Sequence, residues 1–328
     1  MKLFKVLALA FAICVSSSAF GQGLTWSAPQ SSANTAPVPG GVSGRPAIAG
    51  AYLNGTVWGA VTRTGATPLI QMINNGGGAS TTFYSQSNVI IGGGYITSSV
   101  NPALTSMNGM LYLAYTDQNG LNAVVSSSDG LNWTGPGTST AAGLPSQTYY
   151  SPSITADPAT GTIYLAYANG QTYTPIVCKW VPSTGSTSCQ QYYGLDTENF
   201  NPGIAFWNGT VYLGYEHRGD SHCLYFYMYD PSTTTMTPWT PIGCDEQTSA
   251  GPSLAIHNNA LYVAFRTNDS SAKFTLRVST DGNTLNYRQQ PGFHMDGYPQ
   301  LVDFQVSGTS YLMNIYPYNS AVYTTLGQ

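Results

Sequence analysis

The chain has 328 residues, a net charge of −4, and only 7% charged residues. Cations are too few to grip phosphate backbones or anionic lipid, which excludes nucleic acid and a charged membrane surface as main partners. Disorder is excluded as well, because 24 Tyr, 11 Phe and 6 Trp can build a core in spite of the low charge.

Lys2 and Lys5, an apolar run over 6–15 and small residues over 16–21 predict a secretory signal peptide over 1–21, cleaved near Gly21/Gln22. The run is too short to span a bilayer, and nothing downstream approaches the roughly eighteen apolar residues that a membrane helix needs. The expected mature protein is a single domain over 22–328, secreted to the periplasm or beyond, with no membrane insertion. Its polar surface must be Ser, Thr, Asn, Gly and Tyr, a composition that suits contact with sugars or other neutral polymers.

The segment Gly23-Leu24-Thr25-Trp26-Ser27 reads as a lone strand, and 28–44 as a Pro- and Gly-rich crossing. From there a unit recurs: Pro, small residue, aliphatic residue, a turn, then a strand such as Tyr112-Leu113-Ala114-Tyr115, Tyr164-Leu165-Ala166-Tyr167 or Tyr212-Leu213-Gly214-Tyr215. Its prolines are Pro46, Pro102, Pro152, Pro202, Pro252 and Pro299, spaced by 56, 50, 50, 50 and 47 residues. A period near 50 with frequent turn signals predicts four short antiparallel strands per unit, and Asn54-Gly55, Asn108-Gly109 and Asn208-Gly209 predict two-residue hairpins between the first two. The fold class is therefore all-β, a six-bladed β-propeller of four-stranded antiparallel blades.

The sixth copy stops after about three strands, so the N-terminal strand is expected to pair with the C-terminal blade and remove its open edge. The long first repeat leaves room for extra strands over 65–100, and residues 74–78 read as a mobile loop.

Cys14 lies in the expected signal peptide, which leaves Cys178, Cys189, Cys223 and Cys244. In the repeat frame each pair flanks a hairpin, predicting Cys178–Cys189 and Cys223–Cys244 bridges in an oxidising compartment. Neither cysteines nor His217, His222, His257 and His294 show metal spacing, and the histidines read as loop or surface residues. No nucleotide, flavin or zinc signature occurs, and no cofactor is expected.

Ser126-Ser127-Ser128-Asp129-Gly130-Leu131-Asn132-Trp133, and Ser279-Thr280-Asp281-Gly282 followed by Tyr287, resemble degenerate Asp boxes of the sialidase-like (BNR-repeat) superfamily. Arg45-Pro46-Ala47-Ile48 is similar to that superfamily's Arg-Ile-Pro motif without its middle aliphatic residue. Gly297-Tyr298-Pro299-Gln300-Leu301 is similar to the segment that carries its nucleophilic tyrosine.

In a propeller, first-strand starts and second-strand ends share one axial face. Of six mature arginines, Arg45, Arg63, Arg218 and Arg266 map there with Glu216, Asp117 and Tyr298. Converging arginines suit bidentate capture of a carboxylate. The resemblance implies Arg45, Arg218 and Arg266 as a clamp, Tyr298 as nucleophile and Glu216 as its base, since an ordinary phenol is protonated at neutral pH. It also requires an acid/base Asp about two dozen residues after the first arginine. Here no Asp or Glu lies between Arg45 and Asp117.

That absence favours a glycan- or polysaccharide-binding propeller over an active exo-glycosidase in which Asp117 substitutes, and a protein-interaction scaffold is the remaining alternative. Tyr149, Tyr150, Phe200 and Trp207 are candidates for stacking on sugar rings or for core packing.

Overall fold

The computed structural model describes residues 24–32, 48–63, 67–98, 100–135, 148, 150–193, 202–217, 222–239, 247–319 and 321–328. The expected signal peptide, Arg45, Arg218 and Cys244 lie outside them.

A short N-terminal strand, β1 (Gln30–Ser31), precedes blade 1, which comprises β2 (Ile48–Leu53), β3 (Thr56–Thr62), β4 (Ile70–Asn74) and β5 (Tyr84–Asn88). A small hairpin follows, β6 (Ile90–Ile91) and β7 (Gly94–Tyr95). Blade 2 holds β8 (Ala103–Met107), β9 (Met110–Thr116) and β10 (Asn122–Ser127); blade 3 holds β11 (Ser153–Asp157), β12 (Thr162–Ala168), β13 (Pro175–Val181) and β14 (Ser186–Gln191). Blade 4 is β15 (Gly203–Trp207), β16 (Thr210–Glu216), β17 (Leu224–Asp230) and β18 (Thr235–Pro238). Blade 5 is β19 (Thr248–His257), β20 (Ala260–Thr267), β21 (Phe274–Ser279) and β22 (Tyr287–Gln289). Blade 6 is β23 (Gln300–Val306), β24 (Thr309–Tyr318) and β25 (Ala321–Gly327), with β1 as its outermost strand.

The first strand of each blade packs against the first strand of the next, and β23 returns to β2, closing a ring. The chain ends meet through β1 paired with β25 and a bridge between Trp26 and Gly327. Sharing a blade in this way covers part of the β25 edge with β1 and joins the two ends of the chain.

Strand pattern explains the packing. Residues such as Leu111, Leu113 and Tyr115 alternate with Tyr112 and Ala114 along β9, so both faces are apolar. One face joins a cluster with blade 1 and the other a cluster with blade 3. At roughly 25 cal/mol per Å² of buried apolar surface, such interleaved clusters supply the main stabilisation of the ring. The Asn-Gly turns at 54–55, 108–109 and 208–209 have positive φ at both residues, the geometry that a two-residue hairpin demands.

Two long turns are built alike. Asp129 accepts from the N–H groups of Leu131 (2.9 Å) and Asn132 (2.8 Å), and Asp281 from those of Asn283 (2.8 Å) and Thr284 (2.9 Å). These bonds to the charged form hold Asp281 down to about 2 and Asp129 well below the usual carboxylate range. Trp133 is buried and donates its indole N–H to Gly130 O.

Several details differ from the sequence reading. Among the described residues, blade 2 has three strands and, in place of a fourth, a bridge between Ser126 and Thr134. The surplus length of the first repeat forms the β6–β7 hairpin rather than another blade. Residues 74–78 form a hydrogen-bonded turn after β4. Asn75 is buried there, accepting from Val57 N and Gly77 N and donating to Gly78 O and Ser80 O. Cys178 and Cys189, direct partners across β13 and β14, form a disulfide. Cys223 is also disulfide-bonded.

Candidate functional site

Antiparallel pairing brings inner-strand starts and second-strand ends to one axial face: Ala103 lies opposite Ala114 in blade 2, and Ala250 opposite Arg266 in blade 5. Three buried hydroxyls fasten the incoming chain at this face. Ser98 Oγ lies 2.8 Å from the carbonyl oxygens of both Val100 and Thr116. Thr148 donates to Ala168 O at 2.6 Å, and Thr248 lies against Ala250 O and 2.9 Å from Arg266 O. Each satisfies a carbonyl at the end of a second strand that would otherwise be buried without a partner. These positions share the 50-residue frame, four residues before Pro102, Pro152 and Pro252, a sequence signal that the proline-based reading overlooked.

The channel mouth on this face is narrow. Pro102, Pro152, Pro202, Pro252, Pro299 and Tyr298 border a cavity of about 60 Å³. That volume suits one or two water molecules, not a sugar ring.

Glu216 ends β16 with 1% of its surface exposed, and its Oε1 contacts His222 Nδ1. His222 has φ +69° in the following loop, and its carbonyl accepts from Thr248 N (2.9 Å), while Cys223 bridges to Gln247. The Glu216–His222 pair therefore sits at the seam of blades 4 and 5. Arg266 is half-buried and donates from Nε to Met295 O at 2.7 Å, reaching the segment that enters blade 6. Tyr298, 4% exposed, packs on Ala250, the register partner of Arg266. The fold thus gathers Arg266 and Tyr298 at one seam and Glu216 at the preceding one.

Asp117 and Arg63 lie on blades 2 and 1, on the other side of the ring. Asp117 Oδ1 accepts from Asn119 N (2.8 Å) and Leu121 N (2.9 Å), committing it to its own turn. The Arg63 side chain is exposed, while its backbone N–H donates to Leu69 O.

Four aromatic and histidine assignments resolve. Trp207 is core, packed on Tyr212 and donating to Asn259 Oδ1. Tyr150 is half-buried at the axial face against Tyr173, with centroids 5.9 Å apart, a pair that the sequence did not reveal because Tyr173 lies in a loop with φ +58°. Tyr149 and Phe200 lie outside the described residues. His222 lies in a loop as expected and meets Glu216, whereas His257 departs from the loop-or-surface reading, being buried on β19. Among the described residues, no cluster of three His, Cys, Asp or Glu side chains could hold a metal ion, and no helix is long and apolar enough to cross a membrane.

The ring of six blades defines a class of protein, the six-bladed β-propellers. Within that class, a neuraminidase-like protein of the isolate A/flat-faced bat/Peru is 13% identical, matching 93% of this chain and 94% of its own with a TM-score of 0.57. A protein of unknown function from Dyadobacter fermentans is 12% identical over 92% of this chain and 99% of its own, with a TM-score of 0.63. A fucose-specific lectin from Aleuria aurantia is 12% identical over 85% of this chain and 90% of its own, with a TM-score of 0.62. The chain shares its fold with these proteins. No family model matches it, and no curated protein matches it.

Proposed function

We propose that the protein is an exported, single-domain, glycan-binding propeller whose ligand lies across the axial face at the seams of blades 4, 5 and 6. The observation that carries this reading is the grouping of Glu216, His222, Arg266 and Tyr298 on that face, in a chain only 7% charged. The bond from Arg266 Nε to Met295 O orients the guanidinium, the residue type best suited to a sugar carboxylate. Arg45 and Arg218 join it in this reading, and Tyr150 with Tyr173 offers an aromatic surface to a sugar ring.

Fold likeness to a fucose-specific lectin and to a neuraminidase-like protein supports a carbohydrate ligand. Binding without turnover is favoured by two placements. Tyr298 is only 4% exposed, and Asp117 accepts two backbone hydrogen bonds in its own turn on blade 2. The disulfides fit an oxidising compartment.

A glycan array tests the reading, scored first for bound protein and then for loss of terminal sugars. The expected result is retention on glycans with acidic termini, no sugar loss, and roughly tenfold weaker binding by Arg266→Ala, as befits one lost charge-assisted bond. Removal of the terminal sugar would replace the reading with a glycosidase in which Tyr298 and Glu216 react. Silence in both channels would replace it with a scaffold.

A further inference from the structure

The opposite end of the channel is a second, larger cavity of about 330 Å³ that the axial-face site does not use. Its walls include Tyr52 from blade 1, Phe206 from blade 4, and the hydroxyl residues Thr105, Ser106 and Thr155. Among its described lining residues one is charged, Asp303 on β23.

Asp303 is held rather than loose. Its Oδ1 lies 2.7 Å from Nδ1 of His257, whose side chain is 0% exposed, while Asp303 itself is 44% exposed. The Nε2 of His257 faces the side-chain amide nitrogen of Asn258 at 3.0 Å. An amide nitrogen can only donate, so Nε2 accepts and the imidazole proton sits on Nδ1, pointing at Asp303. That contact fixes one oxygen of the Asp303 carboxylate, the one negative group of the described lining. The lining supplies no Lys or Arg to cancel it.

Beside it, Tyr52 is anchored by its hydroxyl, which donates to Gln305 O at 2.9 Å, and its ring leans on Phe304 at 5.6 Å. Phe206 is stacked on Tyr164. Thr155 accepts from Phe206 N at 3.1 Å, leaving its hydroxyl hydrogen to donate. A carboxylate, fixed aromatic rings and several hydroxyls are what a ligand with one cationic centre and many hydroxyls requires. A bare alkylammonium would use the carboxylate and rings but not the hydroxyls.

We propose that this lower mouth of the channel binds a sugar bearing a free amino group, with its ammonium on Asp303 and its ring against Tyr52. His257 is a positioning residue, which fixes the carboxylate without touching ligand. The site is independent of the axial-face reading and stands or falls apart from it.

The test is calorimetric titration and ligand-observed NMR with the glucosamine disaccharide, its N-acetylated counterpart and a lysine-containing tripeptide. Asp303→Asn keeps an acceptor for His257, so an unchanged melting temperature certifies its fold. The expected result is binding of the free-amine disaccharide, weakened roughly tenfold or more in Asp303→Asn and unaffected in Arg266→Ala. Equal binding of the N-acetylated sugar or of the tripeptide overturns the proposal. So does indifference to Asp303→Asn, sensitivity to Arg266→Ala, or no binding of the free-amine sugar to the unmodified protein.

Discussion

Replacing Gly130 with alanine separates two costs that a turn glycine can carry. Gly130 has φ +75°, and a Cβ there would stand 2.7 Å from three ring atoms of Trp58 in the neighbouring blade. The left-handed backbone alone costs a non-glycine residue about 1–2 kcal/mol. Trp58 is 7% exposed and packed among Leu53, Leu104 and Trp133, so its ring has little room to retreat, and overpacking adds about 1–3 kcal/mol. Gly130→Ala should therefore lose about 2–5 kcal/mol in denaturant unfolding. Gly109→Ala supplies the control, because Gly109 has φ +76° with nothing within 4 Å of its Cβ, and only the backbone cost of about 1–2 kcal/mol applies. Gly282→Ala should fall between them, since its nearest obstacle is the terminal hydroxyl of Tyr212. If Gly130→Ala costs no more than Gly109→Ala, the seam between blades 1 and 2 is looser than the ring contact implies.

Two further outcomes are expected. Removing the bridge with Cys178→Ala and Cys189→Ala together should lower unfolding free energy by about 2–3 kcal/mol, given a sequence separation of 11; unaltered stability would mean that the β13–β14 pairing alone fixes this edge. Asp281 is held down to about 2 against an ordinary value of 3.8, so its contribution is present above about pH 4 and fades as pH falls toward 2. Asp281→Asn should flatten the acid limb of a melting-temperature profile, and an unchanged limb would assign acid unfolding to other carboxylates.

The architecture was legible because its signals are local and repeated. Each Pro-small-aliphatic start and each Asn-Gly turn states its conformation within a few residues, and the 50-residue period multiplies it. The site was legible only as a face. The repeat frame placed Arg266, Tyr298 and Glu216 on one end of the ring, but not the partner of Glu216, because His222 reaches it through a left-handed loop residue. His257 and Asp303 are 46 residues apart and meet because blade 5 adjoins blade 6, a relation that no short motif records. Asp117 fits the face by position and also closes its own turn through two backbone bonds, a competition between turn and site that the sequence leaves undecided.

The seam between the chain ends carries the remaining prediction. Trp26 bridges Gly327, lies 5.3 Å from Phe274 and 6.2 Å from Phe293, and donates its indole N–H to Gln289 Oε1 at 3.2 Å. Gln289 in turn donates to Leu24 O at 2.6 Å, tying the N-terminal strand to blade 5 as well as to blade 6. Because Trp26 is half-buried, Trp26→Ala should cost about 2–3 kcal/mol, near or below the lower end for a buried aromatic. A ring closed by a shared blade has no unit that can leave alone. The variant should therefore unfold at lower denaturant in one transition of unchanged steepness. An early separate transition, or a shallower one, would show that blade 6 opens by itself and that the noncovalent closure does not bind the six blades into one cooperative body.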